Sequence, residues 1–230
     1  QAMLATSWEL EEERGGNRMI DLWNVYGQIY GPLDYEIDFR AHTYADFYYL
    51  GEKYSYRHYH MENSFRPTGS LLLYFNHTLG DIVDYDNARQ AKILTLGPGF
   101  ELLVGRKLSL GYEHAWERLT VMGGRELYTA NVGRFRLKYQ FDRRMFLRAN
   151  VQYVRVDRDT GLYLSDYNDM DEQVMSQFLF AYTINPQTVL YMGYSDNFYG
   201  ADTGGPDPSL IGLTQTDRTF FMKIGYAWVL

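Results

Sequence analysis

No cysteine occurs among the 230 residues. A disulfide framework and a thiolate metal site are thereby excluded, and the chain suits an oxidising compartment such as the periplasm. Proline is scarce, at 6 residues. The longest apolar runs, such as Leu71-Leu72-Leu73-Tyr74-Phe75, fall far short of the roughly 20 residues that a membrane-crossing helix needs. Mean hydropathy is -0.40, which excludes a helical membrane protein. It does not exclude a β-barrel, whose strands meet lipid with only every second residue. Basic charge is not in excess: the net charge is -7, so no nucleic-acid partner is expected. The opening Gln1-Ala2-Met3-Leu4 lacks a basic region followed by an apolar core. No signal peptide is therefore read there, and the chain is expected to be either mature or a piece of something longer. Helical periodicity is nearly absent.

What the chain has instead is aromatic residues, 17% of the total with 22 Tyr, together with 21 Gly and only 22% charged residues. They follow an alternation of period two. In Lys107–Leu119 the even positions Leu108, Leu110, Tyr112, His114 and Trp116 are mostly large and apolar, while Ser109, Gly111, Glu113, Ala115 and Glu117 stand between them. Phe135, Leu137, Tyr139 and Phe141 alternate with Arg134, Arg136, Lys138 and Gln140. Tyr35, Ile37, Phe39 and Ala41 alternate with Glu36, Asp38, Arg40 and His42. Successive side chains of a strand point to opposite faces, so each segment has one apolar and one charged face. A soluble sandwich would show the same alternation with the apolar face inward. The membrane reading is favoured by segments of roughly 10–16 residues against a globular mode of about 5–6, by full charges in series on the polar face, and by Tyr, Trp and Phe flanking the apolar positions.

Tight turn signals fall at Gly31-Pro32, Arg66-Pro67-Thr68-Gly69, Gly105-Arg106, Asp142-Arg143 and Asn185-Pro186, spaced roughly 36 to 45 residues apart, one long hairpin each. Between them lie more polar connections at Glu11–Asn17, Gly51–Lys53, Asp84–Asn87, Met122–Arg125, Asp157–Gln173 and Asn197–Gln215. Short turns on one side and longer loops on the other suit an outer-membrane barrel with its short side periplasmic. The expected fold is all-β, an antiparallel up-and-down transmembrane β-barrel of about twelve strands, with residues 1–230 as a single domain. On the last strand Phe220, Met222, Ile224, Tyr226, Trp228 and Leu230 share one face. This terminal strand resembles the signal by which barrel-assembly machinery recognises outer-membrane clients, although most clients end in Phe and this chain ends in Leu.

Two stretches, Ser176–Asn197 (SQFLFAYTINPQTVLYMGYSDN) and Leu213–Trp228 (LTQTDRTFFMKIGYAW), carry a family resemblance. With a weaker likeness through Gly133–Asp142 (GRFRLKYQFD), they resemble the C-terminal region of bacterial outer-membrane proteins that carry a family 9 carbohydrate-binding-like sandwich ahead of a barrel of unknown function. The motifs are strand signatures and not catalytic ones, and the sandwich is lacking here. The resemblance implies a barrel that is the C-terminal part of a longer protein, with no catalytic residues to carry over.

Four constellations could carry chemistry. The charged phase, Glu36, Asp38, Arg40, Glu113, Glu117, Arg134, Arg136, Lys138, Arg148 and Lys223, is expected to face the lumen. There it would form either an ion-pair network that plugs the barrel or the lining of a selective pore. Of the five histidines, His42, His58, His60, His77 and His114, two share a strand face with metal-compatible spacing, His58 and His60. No acidic residue or Cys joins them in the local pattern, and they read as an aromatic belt with Tyr54 and Tyr56; no metal is expected. The acidic stretch Asp157–Glu172 begins like a calcium loop at Asp157-Arg158-Asp159-Thr160-Gly161 but lacks the terminal glutamate spacing, so a solvated loop is expected. Ser195-Asp196-Asn197 matches one β-lactamase fragment, without Ser-x-x-Lys or Gly-x-Ser-x-Gly anywhere. No cofactor is expected, and an enzyme is the less favoured class.

The expected location is the bacterial outer membrane, with lipid and lipopolysaccharide, the assembly machinery and periplasmic or outer-membrane proteins as partners. The expected role is a channel, or the membrane anchor of a larger secretion or glycan-handling protein. The alternatives are a barrel-embedded hydrolase with a rim site and a plugged structural barrel that docks partners.

Overall fold

The computed structural model describes residues 1–14, 18–121, 123–202 and 210–227. Trp228 and Leu230 of the expected terminal strand, and Gly15–Asn17 and Met122 of the expected connections, lie outside the described residues. Among the described residues thirteen strands follow one another: β1 (Ala2–Glu12), β2 (Arg18–Gly31), β3 (Tyr35–Tyr49), β4 (Glu52–Ser55), β5 (His58–Thr68), β6 (Leu71–Asp84), β7 (Arg89–Val104), β8 (Leu108–Val121), β9 (Glu126–Gln140), β10 (Met145–Arg158), β11 (Met170–Asn185), β12 (Thr188–Asp202) and β13 (Leu210–Tyr226). The ladder follows chain order, with only the four-residue β4 off the path and paired back on β3. The β1–β2, β2–β3, β3–β4, β3–β5, β5–β6, β11–β12 and β12–β13 ladders are antiparallel, so the chain is an all-β up-and-down meander as expected, with a strand count slightly different from the expected twelve. Most strands are 14 to 17 residues long, well beyond the usual mode of about 5–6.

Two compact units divide the chain: Gln1–Pro98, Ala115–Ala130 and Asp157–Tyr167 in the first, and Gly99–His114, Asn131–Val156 and Asn168–Leu230 in the second. In the first unit the β2–β3 turn is centred one residue beyond the Gly31-Pro32 signal. Leu33 and Asp34 both have positive φ, 61° and 50°, and the Tyr35 N–H donates to the Pro32 carbonyl at 3.3 Å. Two successive positive-φ residues make the mirror-image turn whose twist matches that of the flanking strands. Leu50 and Gly51, with φ of 51° and 82°, reverse the chain in the same way and create β4.

The five expected tight turns fall at strand ends, but two of the expected long connections are shorter than the sequence suggests. β10 runs on to Arg158 and β11 starts at Met170, leaving a connection of residues 159–169 with one 3-10 turn at Thr160–Leu162. Asn197–Asp202 and Leu210–Gln215, read as loop, are strand. Asn, Gly and Asp there look like turn punctuation, but β11 pairs β12 as far as Met170 opposite Asp202. Irregularities at Asn197/Phe198 and Tyr199/Ala201 absorb the mismatch against β13, the usual work of β-bulges.

The alternation is inverted relative to a soluble sheet. On β13 large apolar side chains stand open, Phe220 68% exposed, Met222 65%, Ile224 63% and Tyr226 53%, as do the residues that alternate with them between 219 and 223. On β11 Phe178 and Tyr182 are exposed while Ala181 between them is 2% exposed. The fully buried cluster of the first unit, Ala91, Leu119, Val121 and Leu127, lies instead near the long-connection ends of β7 to β9, with Ile82, Ile93, Tyr128, Leu162 and Tyr163 packed against it. Leu119 and Val121 continue the alternation phase of Glu117, so a face that is charged in mid-strand becomes apolar at its end, and Leu162 and Tyr163 of the 159–169 connection cover it.

Candidate functional site

The polar phase of the first unit is acidic. Glu36, Asp38 and Arg40 on β3 face Tyr30, Gln28 and Tyr26 on β2 and Ser64, Glu62 and His60 on β5. Tyr26 donates its phenol to Asp38 at 3.1 Å. Asp38 stands directly opposite Glu62, a like-charge pair that a ladder tolerates only where water or other partners screen it. Glu36, Asp38 and Glu62, with Ser64, Tyr74 and Asn76, line a cleft of about 280 Å³. Glu117 of the same unit accepts the Tyr128 phenol at 2.6 Å.

The polar phase of the second unit is basic. Arg134 reaches Glu113 at 2.7 Å and Gln152 at 3.1 Å. Arg136 lies 3.5 Å from Glu113 and 3.9 Å from Glu101. Gly111 lies beneath that side chain, where a Cβ would sit in ordinary contact, 3.5 Å from Arg136 Nε. Lys138 places its ammonium 5.5 Å above the Phe146 ring, within cation–π reach. Among the described residues no carboxylate comes within ion-pair distance of Lys138, Arg148 or Lys223. Arg136, Lys138, Arg148 and Asn150 share a cleft of about 240 Å³ with Glu101, Ser109 and Gly111. Arg148 and Asn150 also border a second cleft of about 200 Å³, whose other polar walls are Gln177, Tyr194 and Ser195, with Phe178 and Phe221 beside them. Gln177 and Ser195 are direct cross-strand neighbours, as are Gly193 and Phe221. A Cβ at Gly193 would collide with the Phe221 ring, so the missing side chain is what lets the ring lie across β12. Lys223, opposite Tyr191, continues this phase along β13.

A third feature is the latch formed by the 159–169 connection. Arg89 donates to the Leu162 carbonyl at 2.6 Å and to Asp84 at 2.9 Å. The Leu164 N–H donates to Asn87 at 2.8 Å and the Tyr167 phenol to Asp86 at 3.2 Å. Arg125 pairs with Asp159 at 2.8 Å. The connection expected to be a solvated loop is therefore fastened to the β6–β7 turn. Burial is the main reason that the Tyr163 phenol is pushed up to about 12; Asp84 and Asp86 add to the shift and Arg158 opposes it.

The histidines divide among different partners. His42 and His58 rings are 4.1 Å apart. His60 is not alone with aromatics: its Nε2 lies 2.9 Å from Glu62 and its Nδ1 2.8 Å from Thr78, where the local pattern had suggested no acidic neighbour. Among the described residues no three His, Asp or Glu side chains gather so as to hold a metal ion. His114 Nδ1 meets the Tyr112 hydroxyl at 3.3 Å. Ser195 and Asp196 point to opposite faces; Asp196 is held by Arg218 at 3.0 Å, by the Tyr194 phenol at 2.7 Å and by Gln215. Of the residues that the sequence reading did not single out, Glu62, Asn150 and Phe221 share the parity of His60, Arg148 and Lys223 on their own strands. Parity alone would have found them.

No protein-family model matches the chain, and no curated protein matches it. Among solved structures the chain is similar to OmpT, an outer membrane protein of Vibrio cholerae, at 9% identity. For the trimer form the TM-score is 0.46 over 99% of this chain and 97% of that one; for a second OmpT structure it is 0.48 over 99% and 95%. It is also similar to the outer membrane channel DcaP of Acinetobacter baumannii, at 9% identity and a TM-score of 0.49 over 97% of this chain and 80% of that one.

Proposed function

We propose that the chain forms a transmembrane β-barrel of a bacterial outer membrane and conducts small polar solutes along its charged face. The observation that carries this reading is the division of faces. Large apolar side chains such as Phe220, Met222 and Ile224 are among the most exposed in the molecule, which water would penalise and lipid would not. The opposite phase holds water-accessible charges that are only partly neutralised, Arg148 and Lys138 among them, where a plug would pair them off. Strands of 14 to 17 residues exceed the roughly 9–11 residues that a tilted strand needs to cross the hydrocarbon core.

The latch supports a second reading, a closed barrel that anchors a larger secretion or glycan-handling protein, because Leu162 and Tyr163 cover the apolar end of the polar phase. Reconstitution of the detergent-extracted chain in planar bilayers separates the two. Discrete conductance steps with a reversal potential that shifts under a salt gradient are expected of the channel. A folded, heat-modifiable but silent protein would sink the channel and favour the anchor.

A further inference from the structure

We propose that the basic face of the second unit, from Arg136 on β9 to Phe221 on β13, is a recognition site for a small organic anion with a flat, unsaturated body. The proposal deepens the channel reading and rests on it, since such a solute would reach this face from the aqueous side. Three observations carry it. The first is uncompensated charge. Glu113 is shared between Arg134 and Arg136, and Glu101, 57% exposed, stands 3.9 Å from Arg136. Both carboxylates reach Arg136, so among the described residues Lys138 and Arg148 of the same cleft are left without one. Water-accessible cations lacking a protein partner attract anions, and the guanidinium fork matches a carboxylate bidentately.

The second observation is a set of neutral polar groups along the same phase. Asn150, Gln177 and Ser195 border the adjoining cleft and offer both donors and acceptors for groups beyond the carboxylate. Arg148 and Asn150 belong to both clefts, so a single solute can hold its anion on one side of Arg148 and extend along the other. The third observation is the ring. Phe221, 47% exposed, lines the second cleft with Phe178 and Tyr194, and Gly193 beneath it allows the ring to lie over the strand. A flat π-system stacks on such a ring more favourably than a tetrahedral or strongly hydrated one. Clefts of about 240 and 200 Å³ that share Arg148 and Asn150 give room for a small solute such as a single-ring carboxylate.

The test is calorimetric titration of the purified full chain in detergent micelles with benzoate, acetate and benzylammonium. Saturable benzoate binding is expected, roughly threefold or more tighter than acetate because of the ring contact, with no saturable binding of benzylammonium. Arg148→Gln should weaken benzoate about tenfold or more, as loss of a charge-assisted contact does. Phe221→Leu should weaken benzoate and leave acetate unchanged, and Arg66→Gln, at the β5–β6 turn, should change neither. Heat-modifiable migration certifies the fold of each variant, and Lys138→Gln takes the place of Arg148→Gln if the latter does not fold. Absence of saturable benzoate binding to folded protein, equal binding of benzylammonium, or cation variants indistinguishable from Arg66→Gln would each overturn the site. Micelle binding does not require conduction. A silent bilayer with intact benzoate binding removes the channel and keeps the site, whereas a conducting protein without saturable binding does the reverse.

Discussion

Gly193 and Gly27 show how a missing Cβ places an aromatic ring. Each is the direct cross-strand partner of a phenylalanine, Phe221 and Phe39 respectively, and at each an added Cβ would collide with that ring. Two effects compete in Gly193→Val. Strand propensity favours valine within a scale of about 1 kcal/mol, while overpacking against the ring costs about 1–3 kcal/mol. The collision should win, so thermal unfolding in micelles is expected at a lower temperature than wild type; a higher one would contradict this packing. Alternation told the phase of Phe221 from the sequence, but not that Gly193 lies beneath it. Register is a property of two strands together, and one strand's pattern does not contain it. For the same reason Glu113 was legible as a polar-phase residue, whereas its sharing between Arg134 and Arg136 was not.

At the scale of the element, the strands were legible wherever apolar and polar residues alternate, as in β8 and β9, and illegible where they do not. Asn197–Asp202 carries turn-forming residues and is strand only because β11 continues beside it. The latch was equally hidden. Its contacts join positions 34 to 81 residues apart, and the acidic composition of Asp157–Glu172 reads as solvated. Asp84 is the element's weak point, with a side chain only 4% exposed and Arg89 as its cation. Arg89→Ala leaves that carboxylate with Asn87, at 2.8 Å, and also removes the donor to Leu162. Breaking a buried pair costs about 3–5 kcal/mol, and since Arg89 is itself a third exposed, about 1–3 kcal/mol is expected here. Hydrogen exchange should report it as faster opening of residues 159–167, with the strand interiors unchanged. Unaltered protection of the Leu164 amide would show that the connection is held by Leu162 and Tyr163 packing alone.

For the whole molecule, the defining property is the sign of each face. The antiparallel meander and its turns followed from period-two alternation and punctuation. The balance of charge on the polar phase did not, because it depends on which cations find carboxylates. The proposed barrel requires one face in lipid and the other in water. The absence of cysteine makes this directly measurable with single spin labels. One cysteine at a time is placed at positions 219 to 226 of β13 and 134 to 139 of β9, and nitroxide accessibility to oxygen and to a water-soluble nickel chelate is read in lipid vesicles. The expected result is an alternation of period two: Phe220, Met222, Ile224, Phe135 and Leu137 positions favouring oxygen, and Thr219, Lys223, Arg134, Arg136 and Lys138 positions favouring the chelate. A protein soluble without detergent, or one in which the two sets of positions are equally accessible to the chelate, would contradict the membrane-barrel reading.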